Sequence, residues 1–364
     1  MALKRLGMAA AVVTGVLSSG AAWAGPFSAD YVFGDSLSDR GNLADILGGH
    51  LPAPPTFHDS FTNGPVAVQV MAQLMGLTEN PSLFPTGFAD VHGLGYPSGT
   101  NYAVAGATAG NVVLPGTTNV EGVGPLANLT GQVGAYLAKS GGVADPNALY
   151  TVFIGGNDVR TAAHQGSTTF VTQGVGTELT EINTLIGAGA KNLLVVNVPD
   201  VGLIPEFTTF SPAGQAALAT QASTAYNLAL AAGVAGITTA NPADSIKLFD
   251  LFGANNALVA NAGSLGITNT TAPCYISYGV TAPAPLVINP ACGPIDPATG
   301  QAANIGQFLY WDPIHPTAKI QAAFGQALYA FEVQGASAVP EPASMALLGM
   351  GVAGLAIARR RRTA

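Results

Sequence analysis

The stretch ADYVFGDSLSDRGN (residues 29–42) decides how the rest of the chain is read. An apolar run stops at Gly34, and Asp35, Ser36, Ser38, Asp39 and Arg40 then crowd five polar side chains into six positions. Charged residues make up only 9% of the chain, against about 25% in ordinary domains. A polar turn after a buried strand is therefore either a structural stop or a site of chemistry.

Similar apolar runs recur at intervals. Strands are expected over 29–36, 100–108, 148–158, 191–202 and 245–253, most of them ending in Gly, Asn or Asp. Between them, helical spacing covers 63–77, 167–188 and an Ala-rich 212–233, and a last helix is expected over about 317–331. Strands separated by helices build parallel βαβ units, so the fold class is α/β: a three-layer α/β/α sandwich with a mostly parallel central sheet. Sites in such sheets lie beyond the carboxyl ends of the strands. Asp35-Ser36, Gly106, Gly156-Asn157-Asp158 and Pro199-Asp200 all follow strands and should converge there. Residues 253–308 look irregular and too long for a simple connection, and are expected to form a lid or rim.

Both ends read as sorting segments. Lys4 and Arg5, an apolar run to about Val16 and Ala22-Trp23-Ala24 fit a secretory signal over 1–24. At the other end, Val339-Pro340-Glu341-Pro342 precedes an apolar stretch from Ala343 to Ala358 and then Arg359–Arg362. These three parts closely resemble the PEP-CTERM sorting signal of Gram-negative bacteria, with a plain C-terminal anchor as the alternative. The resemblance implies transient membrane anchoring, an exosortase-type partner, and export to the periplasm, cell surface or extracellular matrix. A domain over 25–338 remains between the two segments.

The formal net charge is −8, and six of the twelve basic residues lie in the terminal segments, so the intervening domain is more acidic still. An acidic surface repels polyanions, which argues against a nucleic-acid partner. Cys274 and Cys292 are read as one disulfide closing a loop of under twenty residues. A metal site there lacks a nearby histidine, and a free thiol pair is the other alternative.

A serine nucleophile needs a base, a group that orients the base, and donors aimed at the developing oxyanion. Of five histidines, His315 in FLYWDPIHPT follows Asp312 by three residues, a spacing that lets the carboxylate fix the imidazole. Spacing alone leaves a purely structural histidine open. His58-Asp59 is the main competitor, and His50 and His92 sit in Gly/Pro loops.

With these pieces assembled, the chain resembles the GDSL, or SGNH, family of esterases and lipases. Four blocks match in order: Gly34-Asp35-Ser36-Leu37, GTNYAVAGAT (99–108), GGND (155–158) and DPIHPT (312–317). A further segment, FTNGPVAVQVMAQLMGL (61–77), carries Ala67 where many members have Trp. The resemblance implies Ser36 as nucleophile, His315 as base and Asp312 as its orienting acid. It implies an oxyanion hole of the Ser36 and Gly106 backbone N–H groups with the Asn157 side chain, and chemistry without metal or organic cofactor. Asp35, Ser38, Asp39, Asp158 and Asn101 are expected to shape loops, with Ser38 and Asp39 capping the next helix. The implied function is a secreted or cell-surface serine ester hydrolase acting on lipid or small esters. An acetylesterase or acyltransferase working on extracellular polysaccharide is the alternative, and a non-catalytic matrix or adhesion protein a more distant one.

Overall fold

The computed structural model describes residues 26–48, 56–82, 99–110, 128–277 and 286–335. The two terminal sorting segments, His50 and His92 lie outside them. The central sheet consists of β1 (Asp30–Gly34), β2 (Leu149–Phe153), β3 (Asn192–Val196) and β4 (Ser245–Phe249), in that order and all parallel. Its registers place Gly34 beside Phe153, Phe153 beside Val196 and Val196 beside Phe249, so the four carboxyl ends finish level. Tyr150, Val152, Leu194 and Val195 are buried, as expected of strands covered on both faces.

Helices α1 (Asn42–Leu47), α2 (Ala67–Leu74), α3 (Leu129–Lys139), α4 (Gly156–Gln165), α5 (Thr169–Ala188), α6 (Gln215–Ala240), α7 (Leu251–Ala260) and α8 (Ala318–Gln334) flank this sheet. One group packs α2 against α8, and another packs α4, α5 and α6 together with α3 on α5. The Ala-rich helix runs on to Ala240, well past the expected end, because Leu230, Val234 and Ile237 continue its buried stripe.

Two expectations need correction. Residues 100–104 run alongside β1, with Val32 N–H donating to Thr100, Tyr102 N–H to Val32 and Val104 N–H to Gly34, yet they do not form a regular strand. The Asn101 side chain takes the Ala103 N–H at 2.9 Å, and a side chain that claims the backbone in this way competes with a ladder. The segment 253–308 is also more ordered than its composition suggests. It contains most of α7, then β5 (Asn269–Pro273), β6 (Tyr275–Ser277) and β7 (Val287–Ile288), and β5 pairs in parallel with β8 (Phe308–Tyr310).

Cys274 and Cys292 are disulfide-bonded across a separation of 18 residues, and both are buried. Cys274 N–H donates to Tyr310 and Tyr275 N–H donates to Trp311, which ties this excursion to the strand leading into Asp312. Closing a loop of that length is worth about 3 kcal/mol in the chain-entropy model. The Cys274→Ser/Cys292→Ser variant should therefore lose stability of that order, read from the midpoint of urea unfolding; an unchanged midpoint would contradict this.

Candidate active site

The turn after β1 is held from several directions. At Gly34 the backbone N–H donates to Gln132 Oε1 and the carbonyl accepts from Gln132 Nε2, both at 2.8 Å. A β-carbon at Gly34 would sit 2.5 Å from the Phe153 carbonyl oxygen, so only glycine lets β1 lie this close to β2 at its end. Beyond it, the Asp35 carbonyl accepts from the N–H groups of Ser38 and Asp39, and Asp35 Oδ1 accepts from Leu37 N–H at 3.0 Å. Asp39 is buried and accepts from Gly41, Asn42 and Leu43 N–H at the start of α1. Its Oδ2 also accepts from Ala105 N–H at 2.7 Å, which locks the neighbouring loop to the same carboxyl. Ser38 does not cap the helix: its hydroxyl is buried without a hydrogen-bond partner, packed toward Gly34.

Ser36 Oγ lies 2.7 Å from His315 Nε2, and His315 Nδ1 lies 2.7 Å from Asp312 Oδ2. Asp312 Oδ1 accepts from the N–H groups of Ile314 and His315 at 2.8 and 2.6 Å, so the acid folds the loop on which the imidazole rides. A carboxylate can only accept, which assigns the proton to Nδ1 and leaves the Nε2 lone pair facing the serine. Trp311 N–H donates to the His315 carbonyl at 2.8 Å, and the Phe61 ring packs 5.0 Å from the imidazole. The 61–65 segment steadies this loop further: Thr62 Oγ1 donates to the Pro316 carbonyl, and Asn63 Oδ1 accepts from Ala318 N–H at the start of α8. His58, the competitor, is exposed in a separate turn.

Asn157 opens α4 with its Nδ2 donating to the Ala107 carbonyl at 2.8 Å. Gly106 precedes Ala107 with φ at +79°, a left-handed conformation that glycine adopts freely. Asp158 accepts from the N–H groups of Ala109 and Gly110 at 2.8 and 2.9 Å, so the third block anchors the second. Asn101, also buried, donates to the Ser38 carbonyl and to Glu79. The structure thus brings Ser36, His315 and Asp312 into direct contact, with Asn157 and the Gly106 loop beside them. Three residues escaped the sequence reading: Gln132, Arg160 and Glu206. Gln132 and Glu206 reach the site from distant positions in the chain, while Arg160 follows Asn157 by three residues on α4, and no local motif marks any of them.

Ser36, Asn157 and Arg160 line a cleft of about 690 Å³. Its walls are mostly apolar, with Val201, Ile204, Leu251, Leu309, Ile314 and Phe324 prominent. Among the described residues, no group of three His, Cys, Asp or Glu side chains could hold a metal ion, and no helix is long and apolar enough to cross a membrane.

Asp35, Asp158 and Glu178 are buried. Burial pushes Asp35 up to about 6, against the Leu37 N–H and the positive charge of Arg160. It pushes Asp158 up to about 7, against the Gly110 and Ala109 N–H groups. Glu178 is driven to about 8, chiefly by burial, although Tyr226 donates to it at 2.6 Å.

The model of the GDSL-like lipase/acylhydrolase family matches residues 31–328. The chain belongs to that family. A PEP-CTERM protein-sorting motif matches residues 338–362. Among similar curated proteins, lipase 1 of Photorhabdus luminescens is 31% identical over 50% of this chain, a match that spans only 23% of that protein. The phosphatidylcholine-sterol acyltransferase of Aeromonas hydrophila is 24% identical over 82% of this chain and 88% of its own length. The esterase EstA of Pseudomonas aeruginosa is 28% identical over 87% of this chain and 48% of its own.

The buried acids give a testable pH dependence. An acid whose folded pKa is raised binds its proton more tightly when folded, so stability falls as pH rises from its ordinary value toward the raised one. For Glu178 that window runs from 4.5 to about 8. The thermal midpoint should decline between pH 5 and pH 8, and Glu178→Gln should flatten part of that decline. Melting curves across this range check it, and an identical slope in the variant would contradict the assignment.

Proposed function

We propose that this chain is an exported serine ester hydrolase in which Ser36 is the nucleophile. The observation that carries this reading is the continuous contact from Ser36 Oγ through His315 to Asp312, buried at the carboxyl edge of the sheet. Ser36 Oγ attacks the ester carbonyl carbon while His315 Nε2 takes its proton. The oxyanion that forms is held by the backbone N–H groups of Ser36 and Gly106 and by the Asn157 amide. As the tetrahedral species collapses, the bond to the alkoxy oxygen breaks and His315 returns the proton to the leaving alcohol. Water then attacks the acyl-enzyme, giving its proton to His315, and Ser36 departs with that proton as the acid product leaves. Asp312 holds the imidazole in the required tautomer and favours its cation.

The apolar walls of the cleft support an ester with a hydrocarbon acyl chain more than an acetylated polysaccharide, whose small acyl group would leave Leu251, Ile204 and Phe324 uncovered. The sorting motif supports export of a domain over about 25–338, with delivery by an exosortase-type partner to the cell surface or beyond.

Ser36→Ala should abolish hydrolysis of p-nitrophenyl butyrate while the melting curve stays cooperative; retained turnover would sink the assignment. Because even one fully buried methylene contributes about 1–3 kcal/mol of discrimination, kcat/KM should climb by at least about tenfold from acetate to hexanoate esters. A flat profile, together with acetate release from an acetylated polymer, would favour the polysaccharide alternative instead.

A further inference from the structure

Asn157 does not stand alone. Arg160, one turn further along α4, donates from one terminal nitrogen to Asn157 Oδ1 at 2.8 Å. Its Nε and other terminal nitrogen form a two-pronged pair with Glu206 at 2.7 and 2.8 Å. Glu206 lies 46 residues away, and its backbone N–H donates to the Pro313 carbonyl at 2.8 Å, inside the loop between Asp312 and His315. One chain of contacts therefore runs from the acid–base loop through Glu206 and Arg160 to Asn157 and on to Ala107.

We propose that Arg160 and Glu206 form a positioning pair that aims the Asn157 amide at the oxyanion and keeps it in register with the His315 loop. The proposal rests on reading Asn157 as an oxyanion donor. Its physical basis is the one-sidedness of arginine, which has five donors and no acceptor. The Asn157 atom facing Arg160 must be the oxygen, so the nitrogen faces Ala107 and the cleft. One N–H goes to the Ala107 carbonyl, and the other is left for substrate. Terminal amide torsions are broad and roughly two-fold, so without Arg160 the Ala107 contact alone would resist a rotation that turns the amide oxygen toward a developing negative charge. Glu206 keeps the guanidinium plane in place through the matched fork. Burial raises the Glu206 pKa, but the hydrogen bonds and charge of Arg160 more than offset this, with a smaller contribution from His164 at 3.2 Å, and hold the carboxylate below its ordinary value. An ion pair kept only for stability would not need the third contact to Asn157.

The test is a double-mutant cycle on the purified protein with p-nitrophenyl butyrate, using Arg160→Met, Arg160→Lys, Glu206→Gln and Asn157→Ala. Arg160→Met should lower kcat by about 10–100-fold, less than complete loss of a donor, with KM within about threefold of wild type. Arg160→Lys should not restore the rate, because a point charge cannot serve Glu206 and Asn157 together. In the Asn157→Ala background, Arg160→Met should cost less than about threefold more, since the group it aims is gone. Equal losses in both backgrounds, or full rescue by lysine, would overturn the proposal and make Arg160 an independent contact or a simple charge. Wild-type rates in Asn157→Ala alone would instead remove the oxyanion reading beneath it. If Arg160→Met fails to melt cooperatively, the same cycle with Glu206→Gln decides.

Discussion

The contact between Ser36 Oγ and His315 Nε2 joins residues separated by 279 positions, and the remaining architecture makes that contact possible. Neither side chain is positioned by its own turn alone. Gln132, reaching from α3, holds both backbone groups of Gly34 and so fixes where β1 ends. On the other side, Asp312 folds its own loop with two N–H bonds before it meets the imidazole, and Trp311, Phe61 and Thr62 brace the loop from outside. The parallel sheet supplies the common edge: four strands finish level, so loops from distant parts of the sequence meet over one cleft.

The same edge carries an electrostatic cost. Asp35, Asp39 and Asp158 are buried, and each is pushed above its ordinary range by desolvation. They persist because each accepts backbone N–H groups that no ladder satisfies: Leu37 for Asp35, four groups for Asp39, and Ala109 and Gly110 for Asp158. Irregular loops at a buried site must place their N–H groups somewhere, and carboxyl side chains replace the missing strand partners. This explains why so many buried acids surround Ser36. Arg160, which also lines the cleft, is held instead by Glu206 and Asn157.

How much of this was legible in the sequence depended on the range of the interaction. The strand into Gly34, a strand within 191–202 (Asn192–Val196, shorter than expected), the last helix and the disulfide all rest on local composition and spacing, and the structure has each of them. The contact between Asp312 and His315 was legible because the two residues lie three apart. Residues 100–108 misled because an apolar run reads as a strand, while the side chains that break its ladder, Asn101 and Asp39, act through geometry that spacing does not encode. The order within 253–308 was hidden for a related reason: β5 finds its partner in β8, nearly forty residues later, through Gly- and Pro-rich sequence. Gln132 and the Arg160–Glu206 pair left no signal, since long-range hydrogen bonds to backbone and amide groups have no periodicity.

The central claim is that, of the clustered polar residues after β1, only Ser36 reacts. Treating the folded protein with a fluorophosphonate and locating the adduct by peptide mass spectrometry tests it most directly. The account predicts a single adduct on Ser36, lost on prior unfolding. An adduct on Ser38 or another residue, or none in the folded protein, would contradict it.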